Sequence, residues 1–105
     1  MSRADILGCA TLERAEVSLP NGKAATVREL TAGERGEVVR LFRENKGIAE
    51  VHARIIVMAT VDGDEPVFRE KDVPELLKLP GRVVQKLADR ILELSAMGES
   101  DPKKE

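Results

Sequence analysis

Val51-His-Ala-Arg-Ile-Ile-Val-Met-Ala-Thr-Val61 is the most apolar run in the chain, and its reading decides the fold. It is about half the length of the roughly twenty apolar residues needed to cross a bilayer, so it is expected inside protein. Ile55, Ile56, Val57, Thr60 and Val61 are β-branched and favour a strand. Spacing favours a helix: Ile48, Val51, Ile55, Met58 and Ala59 follow one helical stripe, and strict alternation fails across Ile55-Ile56-Val57-Met58. The expectation is a central helix from Ile48 to Val61, apolar nearly all round over its second half, with a buried strand over 53–61 as the alternative. Such a helix needs more than one neighbour to cover it.

Working outward, the residues before this run read as a hairpin followed by a helix. Ala15, Val17 and Leu19 alternate with charged or polar residues, and Ala25 and Val27 do so beyond the turn Leu19-Pro20-Asn21-Gly22. A two-residue Asn-Gly loop would mix the two faces. A three-residue loop pairs Val17 with Ala25 and Ala15 with Val27, gathers the apolar side chains, and suits Pro20 and Gly22. Thr31-Ala-Gly-Glu34 is a capping box, which starts a helix running to about Asn45 with Val38, Val39, Leu41 and Phe42 inward. Lys46-Gly47 ends it. At the N-terminus, Arg3 to Gly8 can form one turn capped by Ser2, marginal without packing.

After the central run, Asp62-Gly-Asp-Glu-Pro66 reads as a turn. Val67 and Phe68 are then extended, with Phe68 expected as a plug whose loss, if buried, costs roughly 3–5 kcal/mol. Asp72-Val-Pro-Glu75 is a second capping box opening a short helix through Leu79. The last helix carries the stripe Val84, Leu87, Ala88, Ile91 and Leu94 and ends near Gly98. Residues 99–105 are expected to be a disordered charged tail. The predicted fold is therefore mainly α (α+β): one domain over 1–98, with an N-terminal β-hairpin over 12–30 and about four helices over 32–98.

Composition narrows the functional classes. At 105 residues a single core is available, able to bury roughly 65% of the unfolded surface. Phe42 and Phe68 are the only aromatics, so that core is aliphatic. With 17 basic and 19 acidic residues, no whole-chain field draws the protein to nucleic acid or membrane. Cys9 is the lone cysteine and cannot form an intrachain disulfide, which fits a reducing cytosol. No apolar segment follows a basic start, so neither signal peptide nor membrane anchor is expected.

No catalytic, cofactor or metal constellation emerges. His52 is the only histidine and reads as a structural residue. The Asp62-Gly-Asp64 turn fails as an EF-hand, because Pro66, Val67 and Val73 fall where ligands or Gly are required. Arg40, Arg43, Lys46 and Arg54 could form a basic strip, but Glu37, Glu44 and Glu50 are interleaved and no aromatic platform accompanies it. A small cytosolic nucleic-acid-binding or regulatory oligomer is the alternative this strip leaves open. What remains is aliphatic surface: Val39, Ile56, Val57, Val83 and Leu92 lie off the main stripes. Either the core takes them, or they form a groove for a partner helix or for self-association. Val39, Phe42, Ile56, Val57, Val83, Leu87, Ile91 and Leu92 are the candidate partner-binding residues.

The run Ala53 to Phe68, then Lys71-Asp-Val-Pro-Glu-Leu76, then Val83 through Leu94, preceded by Val27-Arg-Glu-Leu-Thr-Ala-Gly-Glu-Arg35, resembles the tail assembly chaperones of long, non-contractile-tailed bacteriophages. The likeness covers roughly Val27 to Gly98 and rests on the order and spacing of caps, turns and core positions. One departure is that Gly63 precedes Asp64, where members place Gly after the second Asp. The resemblance implies a non-enzymatic protein of the host cytoplasm that binds the tape measure protein, keeps it soluble, and helps tail tube protein polymerise around it without joining the virion. It further implies a homo-oligomer, and a frameshifted longer form that recruits tube protein.

Overall fold

A computed structural model describes residues 1–44 and 46–97. Five α-helices and a four-stranded antiparallel sheet follow in the order α1 (Arg3–Leu7), β1 (Arg14–Ser18), β2 (Ala24–Arg28), α2 (Ala32–Arg43), α3 (Ile48–Ala59), β3 (Thr60–Asp62), β4 (Glu65–Pro66), α4 (Val73–Leu76) and α5 (Gly81–Leu94). The α+β class holds, and the hairpin proves to be half of a larger sheet.

The central run divides between both of its readings. Residues 48–59 are helical, and Thr60 turns directly into the extended region at φ −99°, ψ 124° with no intervening loop. Thr26 and Val27 then pair with Val61 and Thr60, which adds β3 to the hairpin. β-Branched residues thus sit in a helix at 55–57, where packing decides, and in a strand at 60–61, where a free sheet edge offers hydrogen bonds. The expected turn 62–66 is itself a hairpin: Asp62 pairs with Glu65, leaving Gly63-Asp64 as a two-residue loop. Gly63 adopts φ +65°, which places the left-handed residue first as in a type II′ turn, so Gly here has to precede Asp64. In the first hairpin the three-residue register is the one formed, with Val17 opposite Ala25, Ala15 opposite Val27 and Gly22 at φ +84°.

The Thr31–Glu34 capping box forms as read, with the Thr31 amide donating to Glu34 Oε1 at 2.9 Å. On α2 only Val38 and Leu41 are buried; Val39 and Phe42 lie about 100° to the side and stay 41% and 47% exposed. The expected end near Asn45 lies outside the described residues. Ile48 is also exposed, because the first residue of α3 precedes the packed stretch. Asp72 does not cap α4. Its backbone is helical (φ −87°, ψ −6°) where a cap needs extended geometry, and its carboxylate instead accepts from the Arg69 amide at 2.8 Å across the 3-10 turn Glu70–Asp72.

α3 lies at the centre, flanked by α5, α2 and α4 and in contact with β2. Its Val51, Ala53, Ile55, Ile56 and Ala59 meet Val84, Leu87, Ala88 and Ile91 of α5 and Val17 and Val27 of the sheet in one cluster. Ser95 ties the two chain halves: the Leu30 amide donates to Ser95 Oγ (2.8 Å), which donates to the Ile91 carbonyl (2.7 Å). Thr60 is the opposite case. Its hydroxyl is buried with no hydrogen-bond partner. Thr60→Val keeps the shape and removes a desolvated hydroxyl, so urea denaturation should show it neutral to about 1 kcal/mol more stable.

The last helix closes earlier than expected, and Gly98 and the tail 99–105 lie outside the described residues. Met97 N–H bonds the Leu92 carbonyl (2.8 Å) and Ala96 N–H the Glu93 carbonyl (3.1 Å), a Schellman pair that puts Ala96 at φ +60°. A Cβ in that region costs on the order of 1 kcal/mol. Ala96→Gly should therefore raise the unfolding free energy by about 0.5–1 kcal/mol, read as a higher urea midpoint at unchanged slope.

Candidate functional site

Between the strands and the start of α5 lies an open apolar cleft of about 700 Å³. Ala25 of β2, Val61 of β3 and Leu87 of α5 line it from the sheet and helix sides, and Phe68 and Leu76 from the crossing segment. Phe68 is half-buried and packs against the core, so it forms a wall of the cleft instead of sealing the interior. Its replacement by Ala then costs less than a fully buried ring would. Val67, Leu79 and Val83 rise at the margin, with Val67 47% and Leu79 43% exposed.

The cleft follows from the connections. Pro80 ends the α4 segment and restarts the chain as α5 at Gly81, which sets α5 beside the Leu19-Pro20 end of the first hairpin. The β3–β4 hairpin throws Val67 and Phe68 back across the sheet, where the Val67 amide bonds the Thr60 carbonyl at 3.0 Å. A second hollow of about 320 Å³, lined by Ile48, His52 and Leu77 among others, shares Leu76 and Leu79 with the cleft. The exposed aliphatics Ile48, Leu77, Leu79 and Val67 thereby form one discontinuous apolar band.

The eight candidate residues are not brought together. Ile56 and Ile91 have no exposure and Leu87 has 5%, so in this conformation they belong to the core, Leu87 also touching the cleft. Val57, Val83 and Leu92 are half-buried against that core, and only Val83 of these three lines the cleft. Val39 and Phe42 are exposed on α2. Met58 and Met97, attractive as flexible contacts, pack on the core as well. Leu79, Val67 and Leu19 also line the cleft; each lies just past the end of a helix or strand, and only the tertiary fold brings them to one surface.

Electrostatics do not suggest catalysis. Three of the four residues of the basic strip are paired: Arg40 with Glu37 and Glu44, Arg54 with Glu50 and Glu70, and Lys46 with Glu44 at 3.8 Å, whereas Arg43 forms no ion pair among the described residues. Among the described residues no three His, Cys, Asp or Glu side chains cluster as metal ligands, and no helix is long and apolar enough to cross a membrane. His52 is half-buried on α3; burial pushes its imidazole below the ordinary value of 6.5, with Asp89 opposing. A depressed value means the unfolded chain takes up the proton first, so this contribution is intact above 6.5 and is lost as pH falls through the folded value. Urea unfolding between about pH 7 and 5 should accordingly be less pH-dependent in His52→Gln than in the parent.

No protein-family model matches the chain, and no curated protein matches it in sequence. Among solved structures, the tail assembly chaperone of bacteriophage HK97 superposes with a TM-score of 0.63 over 86% of this chain and 90% of that one, at 18% identity. This chain has the fold of a tail assembly chaperone. At that identity the likeness lies in the order of elements and the packing pattern, which is also what carried the resemblance in the sequence. The tail-assembly-chaperone fold here presents its apolar cleft on the side where sheet, α4 and α5 converge.

Proposed function

We propose that this protein is a phage tail assembly chaperone that binds the tape measure protein, keeps it soluble and promotes polymerisation of the tail tube around it, without becoming part of the virion. The fold shared with the HK97 tail assembly chaperone carries this reading. The cleft supports it: a long, apolar, helical client needs a surface that accepts aliphatic anchors at helical spacing, and a 700 Å³ trough suits about two helical turns of them. The proposal includes action in the host cytoplasm as a homo-oligomer, with no enzymatic activity and no cofactor. Tail tube protein is the second partner, recruited through a frameshifted longer form.

Co-expression with the tape measure protein of the same phage tests it. A soluble complex that survives purification is the expected result; a tape measure protein that stays insoluble and unbound overturns the proposal. The gene offers an independent check of the longer form, in a slippery heptamer near the codons for 98–105 with an overlapping second frame.

A further inference from the structure

The N-terminal segment is built but unused. α1 carries a complete capping box, with Ser2 N–H to Asp5 Oδ2 at 2.9 Å and Asp5 N–H to Ser2 Oγ at 3.3 Å, and Gly8 N–H closes it on the Ala4 carbonyl at 2.9 Å. Nevertheless every residue from 1 to 11 is exposed, including Ile6 at 60% and Leu7 at 57%. A five-residue helix does not repay its nucleation cost in water, so its order has to come from packing, and its own protomer provides none.

We propose that α1 of one copy docks in the apolar cleft of a second copy, seating Ile6 and Leu7 against Leu79, Val67 and Phe68. The size fits: five helical residues are roughly 7.5 Å long, and the cleft of about 700 Å³ is open, so the Ile6 and Leu7 side chains can enter it. Charge fits as well. Arg3 and Asp5 form no ion pair among the described residues, nor do Lys23, Arg82 and Asp62 at the cleft margin, so Asp5 can meet Lys23 or Arg82 while Arg3 meets Asp62. Reach decides for a second copy over the same one. Glu13 is pinned to Glu29 by reciprocal bonds of 2.7 and 2.8 Å at the start of β1, and the cleft opens beyond the other end of that strand at Leu19-Pro20. Folding back would draw residues 8–13 to near their full span of about 20 Å along the whole of β1. Because arm and cleft are different surfaces, the contact is heterologous and can propagate from copy to copy. It does not depend on which client the cleft serves.

Disulfide trapping on purified protein alone, without client, tests the arm. In a Cys9→Ser background, a Leu7→Cys chain is mixed with a differently tagged Leu79→Cys chain and mildly oxidised. A mixed-tag covalent dimer, formed at least tenfold faster than with Glu93→Cys as the second partner, is the expected result, and deletion of residues 1–9 should weaken self-association at least tenfold in ultracentrifugation. Equal rates with both partners overturn the proposal. So does an intrachain disulfide in the Leu7→Cys/Leu79→Cys chain at dilutions where it is monomeric, or self-association untouched by the deletion. Failure here leaves the co-expression result unaffected, because the client can fill a cleft that no arm visits.

Discussion

Arg28→Met is expected to lower the unfolding free energy by about 2–4 kcal/mol, measured by urea denaturation near neutral pH. Arg28 stands at the end of β2 and holds three elements at once. Its two terminal nitrogens meet the Glu34 carboxylate at 2.8 and 3.0 Å, Nη1 also donates to the Glu29 carbonyl at 2.8 Å, and Nη2 to the Met58 carbonyl at 2.7 Å. Met58 lies in the last turn of α3, where carbonyls lack helical partners, so the guanidinium closes the helix as it becomes β3. With 16% and 27% of the two side chains exposed, solvent cannot restore these bonds cheaply, and removing the cation strands Glu34 at the start of α2. The pH dependence has a definite sign. Burial pushes the Glu34 carboxyl up, but Arg28, the Thr31 amide and the Thr31 hydroxyl outweigh it, leaving it below the ordinary 4.5. The pair's contribution is therefore present above 4.5 and lost as pH falls through the lower, folded value, so the deficit of Arg28→Met should shrink in acid. A deficit under about 0.5 kcal/mol at neutral pH would mean the cluster is solvent-like after all.

The same region explains what was legible in the sequence and what was not. Signals confined to a few neighbouring residues came through: the Thr31–Glu34 cap, the register set by Pro20 and Gly22, and the α5 stripe, buried at Val84, Leu87, Ala88 and Ile91 and partly buried at Leu94. Signals that require a distant partner did not. Nothing local to Thr60 and Val61 announces that Val27 and Thr26 lie ready to pair with them, so the strand was absorbed into the helix before it. Helical stripes likewise tell which residues share a face, not which face meets protein. Ile56 and Val39 both fell off the assigned stripes, yet α3 is enclosed on several sides and hides the first, while α2 has a single packed face and leaves the second in water. The cleft was least legible, because its lining comes from two strands, α4, α5 and the connecting residues 67–68 and 79–80, which only the tertiary fold brings together.

On the proposed function, Leu79→Asp/Val67→Asp is expected to reduce recovery of the tape measure protein in a soluble complex at least tenfold, while the melting temperature of the free protein, measured at monomeric dilution, shifts little. Both side chains line the cleft and are close to half exposed, so in the unbound protein the new carboxylates remain hydrated and cost roughly 0.5 kcal/mol or less each. Once an aliphatic client face covers them they lose that hydration without gaining a partner, a penalty of several kcal/mol that binding must absorb. Val39→Asp/Phe42→Asp makes the matched comparison, since it alters a separate exposed apolar pair, on α2, by the same chemistry. Loss of client with the cleft pair alone, while the chain lacking residues 1–9 still holds client, assigns the grip to the trough between sheet and α5. Loss with the α2 pair alone moves it to Val39 and Phe42, and retention with both removes these two surfaces from the mechanism. The decision is energetic: a contact that excludes water cannot tolerate a carboxylate at its centre, whereas a surface the client never covers does not register the change.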